Sequence, residues 1–372
     1  MIAKKNLIVL LIAAMCSTGC SSVYQDINKA LLVTAMIVDV GENGEPTIYF
    51  EAFRPERTTG KDRKEDRVIY VVSGKTVAEV ITTLNTMGSN KPNFSHNKIV
   101  IFSRKAAEAG LEKYTDLFAR DQEHLLRSNV AVYDGKPDEL LDAKLSGDRF
   151  LGLHFFDLFR NYNDKSAKLI EVKVQNLFNG RYEFGGISVL PMLTMTPSQH
   201  GEKVVTVNGA AVLRDFKLVA VLSADEVKDY SIFQNTTPNT IYTIENPASP
   251  GSYVSLRSVN RKIKTKVDYD GTSIVLTKQI KGNVSFWEAQ DNISLTPEQR
   301  EQLKVALIAQ IERNLGNFFE KYKAQSVDVF NLEEMFRRKY PQEKLDNPLD
   351  KAVLKLDIEV NIEGSGNYTG FN

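Results

Sequence analysis

Near the C-terminus, Leu354, Leu356, Ile358, Val360 and Ile362 alternate with Lys355, Asp357, Glu359 and Asn361. A period of two puts the apolar set on one face, which predicts a half-buried strand of the kind antiparallel sheets carry. Arg261 to Tyr269 and Ser273 to Ile280 flank Asp270-Gly271 and predict a hairpin with a tight turn. Leu31 to Val40 and Thr47 to Phe53 are denser in apolar residues, and the turn-forming Gly41 to Pro46 between them predicts a second hairpin. Val68 to Val72, Lys98 to Phe102 and Asn129 to Tyr133 predict further short strands, and Val204 to Leu222 predicts strands around Arg214 to Lys217.

Helical periods fall between these runs. Thr76 and Glu79 form a capping box ahead of Val77, Val80, Ile81 and Leu84, which share one helical face. Lys105 to Ala119 reads as one helix, and Pro137 opens another where its missing donor costs nothing. Ser223 with Glu226 caps a short helix. Thr296-Pro297-Glu298-Gln299 starts a long one, with Leu303, Leu307, Ile311 and Leu315 repeating every four residues as far as about Tyr322. Asn235 to Ser252 is polar and proline-bearing and predicts a loop. Pro191 to Gly201 predicts a linker. The expected fold class is α+β, a mixed α/β chain of several subdomains with antiparallel sheets. Its expected divisions are 1–19, 20–195 and 204–372, the last with a further split near residue 260.

Residues 1–19 differ from the rest. Lys4 and Lys5 precede the aliphatic run Leu7 to Met15, which is too short to cross a bilayer as a helix. With Ser17, Thr18 and Gly19 before Cys20, the segment reads as a lipoprotein signal peptide, and Cys20 is the expected lipidated residue. Position −3 is Ser17, where such signals usually carry leucine. Cleavage would also remove Cys16, so the mature chain would hold no internal disulfide and would depend on core packing. Acyl chains on Cys20 would hold the chain on a membrane without spanning it.

Charge narrows the function further. Lys plus Arg and Asp plus Glu are 47 each, with no basic excess of the kind that phosphate-backbone binding demands, so no nucleic acid partner is expected. Apolar residues make up 42% of the chain, which excludes a disordered protein. His96, His124, His154 and His200 are scattered, and the nucleophile-elbow, phosphate-loop and paired-cysteine motifs are missing, so neither catalysis nor a metal or cofactor is expected. Glu333 and Glu334 are adjacent, and neighbours on a helix point apart. Trp287, the only tryptophan, is expected in the core. Arg54 to Arg67 is expected to be a solvated loop. Lys262, Lys264 and Lys266 fit either an edge strand guarded against aggregation or a contact with lipid headgroups.

Several short segments, taken in order, resemble the Ger(x)C family, the lipoprotein C subunits of nutrient germinant receptors in endospore-forming bacteria. Ser95-His96-Asn97-Lys98 before Ile99 to Phe102 resembles the family's S-H-x-K segment. Ala106 to Gly110 resembles its A-x-x-G helix start, and Arg120 to Glu123 its R-D-x-E element. Gly209 to Val219 resembles a family hairpin. Asp328-Val-Phe330, Phe336 to Pro341 and Gly364-Ser-Gly366 resemble its C-terminal part. The tryptophan common just after the lipidated cysteine is missing, and Leu125 stands where an arginine is usual. The resemblance implies a non-enzymatic subunit needed for nutrient-triggered germination. It further implies lipid anchoring through Cys20 on the outer face of the spore inner membrane, and two integral membrane partner subunits, one of them transporter-like. It does not imply that this subunit binds the nutrient. The alternative function is an extracytoplasmic solute-binding lipoprotein, whose two doubly wound lobes the hairpin-rich second half argues against.

Overall fold

The computed structural model describes residues 30–54, 67–120, 125–143, 145, 148–162, 166–183, 185–197, 202–236, 239–291 and 296–363. Cys20, and Arg54 to Arg67 apart from its ends, lie outside them, as do His124, His200 and Gly364 to Gly366. The strands are β1 (Ala30–Val40), β2 (Pro46–Phe53), β3 (Arg67–Ser73), β4 (Lys91–Asn93), β5 (Ile99–Ser103), β6 (Asn129–Tyr133) and β7 (Ile187–Pro197). They continue as β8 (Lys203–Arg214), β9 (Lys217–Leu222), β10 (Ile241–Glu245), β11 (Tyr253–Tyr269), β12 (Ile274–Ala289) and β13 (Ala352–Glu363). The helices are α1 (Val77–Leu84), α2 (Arg104–Ala109), α3 (Glu112–Arg120), α4 (Pro137–Leu141) and α5 (Leu151–Tyr162). After them come α6 (Val174–Tyr182), α7 (Ala224–Gln234), α8 (Pro297–Ala324) and α9 (Leu332–Lys339).

Strands β1 to β9 form one sheet, in the order β3-β2-β1-β5-β6-β7-β8-β9 with β4 beside the start of β1. The pairs β1–β5, β5–β6 and β6–β7 are parallel, and hairpins close both ends. Every residue of β5 and β6 is buried, because helices cover both faces. One face packs on α1, α2, α3 and α6 through residues such as Met36, Phe102, Tyr114 and Phe118. The other packs on α4 and α5 through Ile37, Ile101, Phe155 and Phe159. Gly152 permits the close approach of α5 to β1, since a Cβ there would stand 2.1 Å from the Thr34 carbonyl oxygen.

The second sheet has the order β10-β11-β12-β13. Among the described residues only one of its faces is covered, by the apolar stripe of α8 and by α9, where Leu303, Leu307, Phe318, Phe330 and Phe336 are buried. That core also takes in Val189, Ala210 and Val212 of the first sheet, so a continuous apolar layer joins the two sheets.

Most predicted elements are present, with four corrections. Lys105 to Ala119 is two helices, broken where Gly110 takes a φ of +101° and ends α2. Pro191 to Gly201 does not begin as a linker. Ile187–Pro197 pairs with β8, and Pro191 sits at a bulge where its missing donor is tolerated. The polar stretch Asn235 to Ser252 holds the edge strand β10. The final strand runs parallel to its neighbour β12, with Ile274 opposite Ala352 and Ser285 opposite Glu363.

Candidate functional site

The residues singled out for catalytic chemistry do not converge. His96 is exposed, whereas His154 pairs through Nδ1 with Asp148 at 2.8 Å. Glu333 and Glu334 each turn to the arginine four positions on, Arg337 and Arg338, so both acids act as helix-surface ion pairs. Among the described residues no group of three or more His, Cys, Asp or Glu is placed to hold a metal ion.

The segments behind the family resemblance do structural work. Asn97 donates its side-chain amide to Ser128 Oγ at 2.9 Å and to the Ile99 carbonyl at 3.2 Å, tying β5 to the start of β6. Lys98 places its ammonium 5.0 Å from the centre of the Phe156 ring. Arg120 pairs with Asp116 at 2.9 Å, one turn back on its own helix. A Cβ on Gly209, whose φ is +92°, would lie 2.3 Å from the Leu222 carbonyl oxygen, so the position requires glycine. At the β8–β9 turn Asp215 and Phe216 both have positive φ, 48° and 66°, as a two-residue hairpin loop needs. The buried Phe216 ring meets Phe178 edge-on at 5.8 Å. Asp328 is buried and accepts from the backbone N–H groups of Phe330, Leu332 and Glu333, which caps α9. Burial still pushes its carboxyl above the usual range, against the opposing pull of those three donors.

A cavity of about 500 Å³ lies where the two sheets meet. Its walls are the β8–β9 turn at Asp215, the Gly185-Gly186 approach to β7, and the turn between α8 and α9 at Ser326 and Asp328. Arg214 crosses it to the Ser326 carbonyl oxygen. Of its acids, Asp328 caps α9 and Glu333 pairs with Arg337, so the cleft offers polar contact. Behind α9, Lys278 is buried and donates to the Phe233 carbonyl at 2.6 Å and to Thr265 Oγ1 at 2.8 Å. Burial lowers its ammonium to about 8.

The open face of the second sheet carries the clearest contact chemistry. Trp287 is 55% exposed, contrary to the core position expected for it. The Arg257 guanidinium lies 4.6 Å from the centre of its ring. Ile241 stands directly opposite Arg257, and Tyr253 is exposed four residues before Arg257 on β11. A tryptophan at the end of a long strand reads as core by composition alone, and only the one-sided covering of the sheet puts it in solvent. Beyond Arg257, β11 has no strand on its outer side among the described residues, and the exposed Lys262, Lys264 and Lys266 lie there. Those lysines guard an edge, as one of the two sequence readings has it. Further along, Lys339 and Tyr340 cover the edge at Val267 and Tyr269. Among the described residues no helix is long and apolar enough to cross a membrane.

Comparison with known proteins covers both sheets. A family described as the spore germination protein N-terminal domain matches residues 23–195. The C-terminal family described as spore germination B3/GerAC-like matches residues 208–366. The crystal structure of the GerBC protein is similar in fold, with a TM-score of 0.57 at 15% identity, over 88% of this chain and 96% of that one. No curated protein matches.

Proposed function

Because this chain belongs to the GerAC-like family of spore germination proteins, we propose that it is the membrane-anchored, non-catalytic subunit of a nutrient germinant receptor. The observation that carries this reading is the pair of family matches, which together take in both sheets. Cys20, preceded by Ser17-Thr18-Gly19, is the lipidation site in this reading. The lipid holds the protein at the outer face of the spore inner membrane and raises its effective concentration beside two integral membrane subunits, one of them transporter-like. The exposed Trp287 and Tyr253, with the half-buried Arg257, supply the residue types that anchor protein interfaces, and we assign the contact with those subunits to this face.

The test uses spores in which this receptor is the sole nutrient receptor. Deleting the gene, or substituting Cys20→Ala, abolishes or strongly slows nutrient-triggered germination, while germination by a route that bypasses nutrient receptors is intact. Mass spectrometry of the mature N-terminus finds diacylglyceryl-modified Cys20. Germination at the normal rate in the deletion strain overturns the receptor reading, and an unmodified N-terminus overturns the anchor.

A further inference from the structure

A sheet edge with free N–H and C=O groups is a template for another chain, and folded proteins charge, cap or shorten their edges. Most edges of this molecule are treated that way. β11 presents Lys262, Lys264 and Lys266, and Lys339 donates to its Val267 carbonyl at 2.7 Å. β10 is five residues long, and its Thr243 carbonyl accepts from Gln310 Nε2 at 3.1 Å. β13 alternates Lys355, Asp357 and Glu359 along its exposed side. β9 opens on Lys217, and Tyr322 Oη donates to its Val221 carbonyl at 3.3 Å.

β3 carries none of these devices. It is the outermost strand of the first sheet, seven residues long, and among the described residues no strand lies on its far side. Its ladder to β2 runs from Arg67 to Ser73 without a bulge, and Val68 to Val72 holds no charge and no proline. Arg67, at the start, is already paired with Glu51 at 2.7 Å. Ile69 and Val71 share one face and are 38% and 48% exposed. On the other face Tyr70 packs on the core beneath α1, and a Cβ on Gly88 would stand 3.3 Å from its hydroxyl. The neighbouring Met87 is exposed. Apolar side chains therefore flank the open edge on both sides.

The strand's own sequence points to its partner. Val68-Ile69-Tyr70-Val71-Val72 has the same character read in either direction from Tyr70. Antiparallel pairing about a two-fold axis at Tyr70 sets Ile69 opposite Val71, Val68 opposite Val72, and Arg67 opposite the uncharged Ser73. We propose that the β3 edge pairs with β3 of a second copy of this chain, joining the two first sheets into one. Such an isologous contact consumes the open edge of both copies, so it closes at a dimer and does not propagate. Two seven-residue strands make less than a standard interface, so the dimer dissociates in the micromolar range. The inference rests on β3 alone and does not depend on the receptor reading.

The test sediments the full chain in detergent at concentrations from about 1 to 100 µM. The parent passes from monomer to dimer over this range, and amide hydrogen exchange at Val68 to Val72 slows as the dimer forms. Ile69→Lys with Val71→Lys sets lysine opposite lysine and raises the dissociation constant roughly tenfold or more. Ile69→Lys with Val71→Glu sets lysine opposite glutamate on both sides of the axis and keeps the dimer. Both double variants change exposed side chains, and circular dichroism checks that each is folded. Val219→Lys, at an exposed position on β9, leaves association unchanged. A chain that stays monomeric up to about 100 µM overturns the proposal. So does a dimer that ignores the paired lysines, or one that both double variants abolish alike. Protection of β3 that appears only when membrane proteins are added gives the edge to another protein's strand and overturns self-pairing. None of these outcomes uses spores, so failure here leaves the germination test to be judged separately.

Discussion

Glu51 and Asp229 are both buried carboxylates, and their surroundings are opposite. In the first sheet Glu51 accepts four hydrogen bonds: from Thr34 Oγ1 at 2.7 Å, Arg67 Nε at 2.7 Å, and the backbone N–H groups of Leu151 at 2.8 Å and Gly152 at 3.0 Å. It joins β1, β2, β3 and the first turn of α5 at one point, and the helix end favours its negative charge. On α7, by contrast, Asp229 is 8% exposed, and burial pushes its carboxyl up to about 6 against the favourable charge of Lys228. The first carboxylate is consumed by the fold, and the second burdens the fold when it ionises. Lys278 sits on the side of Asp229 in this contrast, as a buried cation that donates to a carbonyl and a hydroxyl.

The sharpest way to break this contrast is to remove Glu51. Glu51→Ala strands Arg67 and two amides and opens a void, so it lowers stability by about 3–5 kcal/mol in urea unfolding. A loss below about 1 kcal/mol would mean that water replaces the carboxylate without penalty.

Asp229→Asn moves stability the other way. Burial holds its carboxyl at about 6, above the ordinary 3.8 of a free aspartate, so the folded state binds the proton more tightly than the unfolded chain does. The penalty for ionising it is absent below the unfolded value, grows as pH rises through that interval, and is constant above about 6. The variant is therefore more stable by up to about 3 kcal/mol at neutral pH, and indistinguishable from the parent near pH 3.5. Melting temperatures at the two pH values check the sign. Stabilisation that persists at the acid end would place the cause outside this titration.

The smallest effect is expected at Trp287. Trp287→Ala removes a half-exposed ring and changes stability by less than about 1 kcal/mol. Under the proposed receptor function it nonetheless reduces co-purification with the proposed membrane subunits. A large loss of stability together with intact assembly would return Trp287 to a packing role.

Legibility followed the same division. Local caps were plain in the sequence, as at Thr76, Ser223 and Thr296, each of which accepts from a backbone N–H three residues on. The first turn of α5 was not, because its cap is Glu51, 100 residues from Leu151. No window around Phe155 contains that carboxylate. Alternation in Leu354 to Ile362 reported that one face of β13 is covered. It could not report strand direction, which depends on the α8 and α9 crossover. Asp229 drew no attention as a residue type, since the burial of a carboxylate on α7 shows only once the rest of the fold is packed around it. The reading of Cys20 from its flanks falls outside the described residues.

The parallel pairing of β12 with β13 also governs when the second sheet can form during synthesis. Lys281 and Glu359, which form an ion pair across it, are 78 residues apart, and both long helices emerge between them. Until Ala352 to Glu363 arrives, the 16-residue β12 has an unpaired edge and exposes apolar residues meant for α8. Closing so long a loop is slow, and an open edge of this length is a template for pairing between chains. A chain that ends before residue 352 is therefore expected to leave this edge open and to aggregate.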